Sequence, residues 1–196
     1  MIMKRMGIFL LCLSLAFLEP AFCRTTGGPQ SLNTMPAAVA QNPEPTPAVV
    51  TPSPPTAPKV GFLAPDFSLE QPDGSSLRLS DLRGTPVFLN FWNIACQYCR
   101  YEMPNIQRMH ATYSDKGLVV LGVNEEDAAE DVLVYMDRMK LNYRMVLDRD
   151  SRVGHSYLVQ GLPYSCFIDS DGIIQSIYIG ELSRVKMEQL VQKIVE

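Results

Sequence analysis

An apolar run, Val87-Phe88-Leu89-Asn90-Phe91-Trp92, gives way within four residues to Cys96-Gln97-Tyr98-Cys99, and there the hydrophobic period changes. A nearly continuous apolar segment beginning after Pro86 is what a strand covered on both faces requires. Beyond it Cys99, Met103, Ile106 and Tyr113 recur at helical spacing with Pro104 inside the pattern, which predicts a kinked helix from about Gln97 to Tyr113. The junction reads as buried strand, tight turn and helix N-terminus, with two thiols on the turn. It commits the chain to layers of strand and helix and fixes where the central strand lies.

The position of the cysteines carries more chemistry than their spacing. A thiol at a helix N-terminus faces unpaired backbone N–H groups and the positive end of the macrodipole, which favour a thiolate. Such placement lowers a cysteine pKa from about 8.5 into the range of roughly 3.5 to 7.5. A Cys96 thiolate would attack a disulfide sulfur to form a mixed disulfide, and Cys99, one turn along, would displace the product. The reverse transfer uses the same atoms, because reduction potential rather than geometry sets the direction.

The flanking segments complete an α/β pattern. Phe62, Phe67 and Leu69 open the folded region near Val60, and Asp73-Gly74 separates two short alternating runs, predicting a small N-terminal hairpin. Leu118 to Val123 reads as a second buried strand. Asp127 to Lys140 reads as a helix presenting Ala129, Val132, Leu133 and Met136 on one face. A short strand at Met145 to Leu147 follows, then a helical turn through Arg149 to Tyr157. Tyr164 to Ile168 and Ile173 to Ile179 flank Asp171-Gly172 as a hairpin, and Val185 to Val195 closes the chain as a helix. Parallel crossovers followed by an antiparallel hairpin give a mixed sheet flanked by helices.

The ends of the chain bear on compartment. Met-Ile-Met-Lys-Arg precedes an apolar run from Met6 to Leu18, too short to cross a bilayer comfortably, so residues 1–23 are expected to be an export signal cleaved before Arg24. A membrane anchor formed by residues 6–18 is the alternative. Residues 24–59 contain nine prolines and almost no large apolar side chains, the composition of an extended, disordered tether, leaving residues 60–196 as the folded domain. If the signal is removed, Cys96, Cys99 and Cys166 remain, too few for a disulfide scaffold. A formal net charge of -4 and a pI near 5.2 argue against nucleic acid as a partner.

Several further segments make a resemblance specific. They are Gly61-Phe62-Leu63-Ala64-Pro65-Asp66-Phe67, Leu79 to Gly84, Asn90-Phe91-Trp92, Cys96 to Cys99, Glu102-Met103-Pro104, Gly122-Val123-Asn124 and Val159-Gln160-Gly161-Leu162-Pro163. From about Gly61 to Glu196 the chain resembles the TlpA/ResA family of extracytoplasmic thioredoxin-like proteins. The resemblance implies a thioredoxin-like fold and thiol-disulfide exchange by Cys96 and Cys99 without a cofactor. It also implies a cis Pro163 facing the dithiol, with the backbone of Leu162 offering an edge to an extended substrate. The alternative is that Pro163 merely starts the next strand. The implied partners are disulfide-bearing exported proteins such as apocytochromes c and a membrane or extracytoplasmic electron donor, in a periplasmic setting. Ala95, Gln97-Tyr98 and Tyr164 depart from the family pattern around the dithiol, so its potential and partners do not transfer.

Relatives often carry an acid after the Gly-Val-Asn strand, which makes Glu125, Glu126 and Asp127 candidates for a proton relay; compensation of a helix dipole is the competing reading. Trp92 is expected beneath the turn, with substrate contact as the alternative. Cys166, inside an apolar strand, reads as a buried inert thiol. His110 and His155 do not complete a zinc site with the cysteines, so no metal is expected. Two rivals are weaker. A thiol peroxidase wants Thr or Ser where Asn93 stands, and a metal-delivery or chaperone module of this fold generally spaces its cysteines by three and adds a histidine.

Overall fold

The computed structural model describes residues 54–196. The expected signal, the anchor alternative and most of the tether lie outside them. Seven strands form one sheet in the order β2-β1-β5-β4-β3-β6-β7. They are β1 (Ser68–Glu70), β2 (Ser76–Arg78), β3 (Val87–Trp92), β4 (Val119–Glu125), β5 (Arg144–Asp148), β6 (Tyr164–Ile168) and β7 (Ile174–Ile179). The helices are α1 (Gln97–Tyr113), α2 (Ala129–Met139), α3 (Arg152–Ser156) and α4 (Arg184–Val195). β3, β4 and β5 run parallel, whereas β6 is antiparallel to β3 and β7 to β6. β1 and β2 pair antiparallel across the turn that holds Asp73 and Gly74, and β1 meets β5 at Glu70 and Leu147.

The period-two alternation of β3 divides the interior. Phe88 and Trp92 join α1, α2 and α4 in one core, while Val87, Leu89 and Phe91 join Tyr157, Tyr164 and Cys166 in the other. Every residue of β3 is buried, as a strand with a layer on each face must be. Phe88 stacks on Phe167 with ring centroids 4.5 Å apart, joining β3 to β6 across the α1 face.

Two expectations change. On α2 the buried side chains are Val132 and Tyr135, whereas Leu133 is 46% exposed. Apolar residues occupy several adjacent positions there, so spacing alone does not fix which stripe packs inward. The folded unit also begins before Val60: the Ala57 N–H donates to the Leu63 carbonyl at 3.1 Å, and the Leu63 N–H to the Pro55 carbonyl at 3.0 Å. Residues Pro55 to Lys59, assigned to the tether by composition, pair with the domain.

This pairing sets up a truncation test. A chain starting at Pro54 is expected to unfold cooperatively at the full-length midpoint, whereas one starting at Val60 loses both hydrogen bonds and about 1 to 2 kcal/mol. Equal denaturant midpoints for the two truncations would show that the pairing contributes nothing.

Candidate active site

The C-terminal end of β3 delivers the chain into the cysteine turn. There the Cys96 N–H donates to Asn93 Oδ1 at 2.8 Å, and the Ile94 N–H donates to Asp127 Oδ2, also at 2.8 Å. Asp127 accepts a second bond from Asn124 Nδ2 at 2.8 Å, so the turn is tied to the end of the neighbouring strand β4. Cys96 is the N-cap of α1, and its Sγ accepts the Cys99 N–H at 3.1 Å. In a dithiol form that donor, together with the helix N-terminus, favours negative charge on the Cys96 sulfur.

Cys96 and Cys99 are joined in a disulfide with Cα atoms 5.3 Å apart. Their surroundings differ. Cys96 is half-buried and reachable from solvent, whereas Cys99 is 0% exposed and packed among the core residues of α1. α1 runs on as one helix through Pro104, which lies inside it.

Trp92 is 0% exposed and packs on Tyr135 with centroids 5.5 Å apart. It underlies the turn and presents no surface to a substrate. The Leu162–Pro163 bond is cis. Pro163 directly precedes β6, whose first residue Tyr164 pairs with Phe91, so it stands at the same end of the sheet as the cysteine turn. Pro163 is buried and Leu162 half-buried.

Of the three acids considered for proton relay, only Asp127 reaches the turn. Glu126 is exposed and accepts from Ser151 Oγ at 3.2 Å. Glu125 is half-buried against Gly154, with its Oε1 unpartnered; burial raises its pKa, and the adjacent Asp148 and Glu126 add to the rise. Cys166 is a free buried thiol on the sheet face opposite α1, and burial pushes its pKa up. His155 is exposed with Nδ1 2.6 Å from the Ser151 carbonyl, and burial lowers the pKa of half-buried His110.

Sequence reasoning passed over Glu102. Its side chain is 0% exposed, yet it lies on α1 one turn beyond Cys99. Oε1 accepts from Asn90 Nδ2 at 2.9 Å and Oε2 from the Leu182 N–H at 2.9 Å. Asn90 also donates to Ser165 Oγ at 3.1 Å. Burial raises the carboxyl to about 7 against the opposing effect of those two hydrogen bonds. The signal for it was a charged residue inside the apolar stripe of Cys99, Met103 and Ile106.

A helix N-terminal disulfide with one accessible and one buried sulfur, at the end of a central strand and beside a cis proline, defines a thioredoxin-fold thiol-disulfide protein. The pattern of the AhpC/TSA family matches residues 60–177. The thiol-disulfide oxidoreductase ResA of Geobacillus thermodenitrificans is 35% identical over 139 residues, covering 71% of this chain and 80% of that protein. The thioredoxin domain of a thiol-disulfide oxidoreductase from Bacteroides vulgatus superposes with a TM-score of 0.63 at 28% identity, covering 70% of this chain and 99% of that one. The exposed lipoprotein thioredoxin of Streptococcus pneumoniae gives a TM-score of 0.57 at 26% identity, covering 66% and 99%. The chain belongs to the AhpC/TSA family and, within it, to the ResA/TlpA-like thiol-disulfide oxidoreductases, enzymes of the thioredoxin fold. Disulfide-bearing proteins are the substrate class these relatives imply. Among the described residues no helix is long and apolar enough to cross a membrane.

Proposed function

We propose that this enzyme reduces disulfides of exported proteins outside the cytoplasm, with Cys96 as the attacking thiol and Cys99 as the resolving thiol. The observation that carries the assignment is the contrast between a half-buried Cys96 at the helix N-cap and a Cys99 with no exposed surface. An external sulfur can approach only the first. The Cys96 thiolate bonds to one substrate sulfur and the other leaves as thiolate. Cys99 then attacks the Cys96 sulfur, the second substrate sulfur leaves, and two electrons have passed from dithiol to substrate.

Glu102, one turn from Cys99, is the buried carboxyl able to hold or release a proton near neutral pH as Cys99 ionises. Asp127 fixes the turn through Ile94, and the edge at Leu162 and Pro163 receives the extended substrate chain. The basic and apolar pattern of residues 1–23 supports export to the periplasm, with anchoring by residues 6–18 as the other route to the same compartment. Apocytochromes c are the substrates the family resemblance favours. Electrons would come from an extracytoplasmic dithiol donor.

Incubated with dithiothreitol, desalted and mixed with insulin, the enzyme is expected to reduce one insulin disulfide per molecule and to lose its two titratable thiols in doing so. No thiol transfer from enzyme to insulin would overturn the reading. Peroxide consumption is expected to stay at background, because Asn93 stands where a peroxidase needs a hydroxyl and its Oδ1 is engaged by the Cys96 N–H.

A further inference from the structure

The first two turns of α1 expose two large aromatic side chains next to the reactive sulfur. Tyr98, between the two cysteines, is 60% exposed, and Tyr101, three residues on, is 56% exposed. Every other Phe, Tyr or Trp among the described residues is buried or half-buried. The pair is also ordered: its rings meet edge to face with centroids 6.4 Å apart, and Gln97 Nε2 donates to the Tyr101 hydroxyl at 2.5 Å. Side chains already held in place lose little rotamer freedom when a partner covers them.

Charge decides the chemistry of that partner. An aromatic face accepts either a cation or an apolar group. Arg100, exposed and without an ion pair among the described residues, lies between the two tyrosines in sequence. The first turn of α1 holds no acid, and its N-terminus presents the positive end of the helix. A Lys or Arg is repelled there, whereas an apolar side chain is not. We infer that Tyr98 and Tyr101 select disulfide substrates carrying an apolar side chain, an aromatic one above all, within a few residues of the cystine. The inference rests on Cys96 being the attacking thiol. A substrate sulfur that bonds to Cys96 brings its flanking residues over the N-terminus of α1, and Cys96 caps the helix that carries both rings. Burying apolar surface against the tyrosines then favours the substrate whose flank supplies it.

The test uses the full enzyme in its dithiol form and three peptide homodisulfides, identical except for Phe, Ser or Lys at both positions two residues from the cysteine. Each reaction converts one peptide disulfide and the enzyme dithiol into two peptide thiols and the enzyme disulfide. Rates are read by peptide thiol release and divided by the rate of the same peptide with dithiothreitol, which removes intrinsic differences between the disulfides. The Phe peptide is expected to react about tenfold faster than the Ser peptide, with the Lys peptide no faster than Ser. Tyr101→Ser, outside the cysteine motif, should cut the Phe preference to about threefold, and the double variant Tyr98→Ser/Tyr101→Ser should bring it to about unity. A change in the reactivity of the dithiol itself would instead scale all three rates together. Val60→Ser should keep the preference: Val60 is exposed, and its neighbour Gly61 bonds to Ile174 at the end of the sheet away from the cysteine turn. Equal corrected rates for Phe and Ser, a Lys peptide faster than Ser, or a preference that survives the double variant or is lost in Val60→Ser would each overturn the inference while leaving the dithiol reading standing. Failure of the wild-type enzyme to react with any of the three would overturn the dithiol reading and this inference with it.

Discussion

Cys96→Ser is expected to reduce disulfide exchange by at least about a thousandfold, to the background of buffer, because it removes the one accessible thiolate at the helix N-cap. Cys99→Ser should behave differently. Its Cys96 still attacks, but no second sulfur lies one turn along to release the product, so a covalent enzyme–substrate disulfide accumulates after a single event. The burial of Cys99 sharpens the contrast: with no exposed surface it meets only a sulfur already bonded to Cys96. Non-reducing gels and mass spectrometry on both variants read this directly. Trapped mixed disulfides in Cys96→Ser rather than Cys99→Ser would reverse the assignment of attacking and resolving thiols.

The second large effect is on stability against pH. The Glu102 carboxyl is raised from 4.5 to about 7 by burial, so between those values the folded state binds more protons than the unfolded one. Stability therefore falls as pH rises across that window, by roughly 3 kcal/mol in total, and levels off above it. The sign is opposite to that of a salt-bridged carboxylate. Glu102→Gln removes this titration while keeping one acceptor for Asn90 or Leu182, so its fall in unfolding free energy from pH 5 to 7.5 should be smaller than wild type's by that roughly 3 kcal/mol, leaving the contributions of Glu125, whose raised pKa acts with the same sign, and His110, whose lowered pKa acts with the opposite sign. Denaturant unfolding of the disulfide form at several pH values measures both slopes. An unchanged slope in the variant would assign the pH dependence to another group.

The two effects meet on one helix. α1 carries Cys99 and Glu102 on the face that packs against β3, and Asn90 of that strand donates to the carboxylate. Keeping Glu102 there costs stability at neutral pH, since an apolar side chain in the same stripe would pack without desolvating a charge. A buried carboxyl raised to about 7, one turn along α1 from the proposed resolving thiol, is a chemical reason to keep it.

The strand, the cysteine turn and the helix after it were legible in the sequence because their signals are local. An unbroken apolar run, a change of period from continuous to helical and a cap position all act between residues a few places apart. Pro163 and the family segments extended that reading to the far end of the fold. Adjacent apolar residues on α2 left its inward face undetermined, and only packing against the sheet selected Val132 and Tyr135 over Leu133.

What tertiary structure alone decided is which groups lose water and which distant groups meet. The carboxylate of Glu102 accepts from Leu182, 80 residues away, and Asp127 accepts from Ile94, 33 residues back along the chain. Neither partnership has a periodic signature, because it depends on where separate elements come to rest. The same packing buries Cys99 and leaves Cys96 in reach. Spacing supplied two chemically identical thiols; desolvation, which needs the assembled core, made them different.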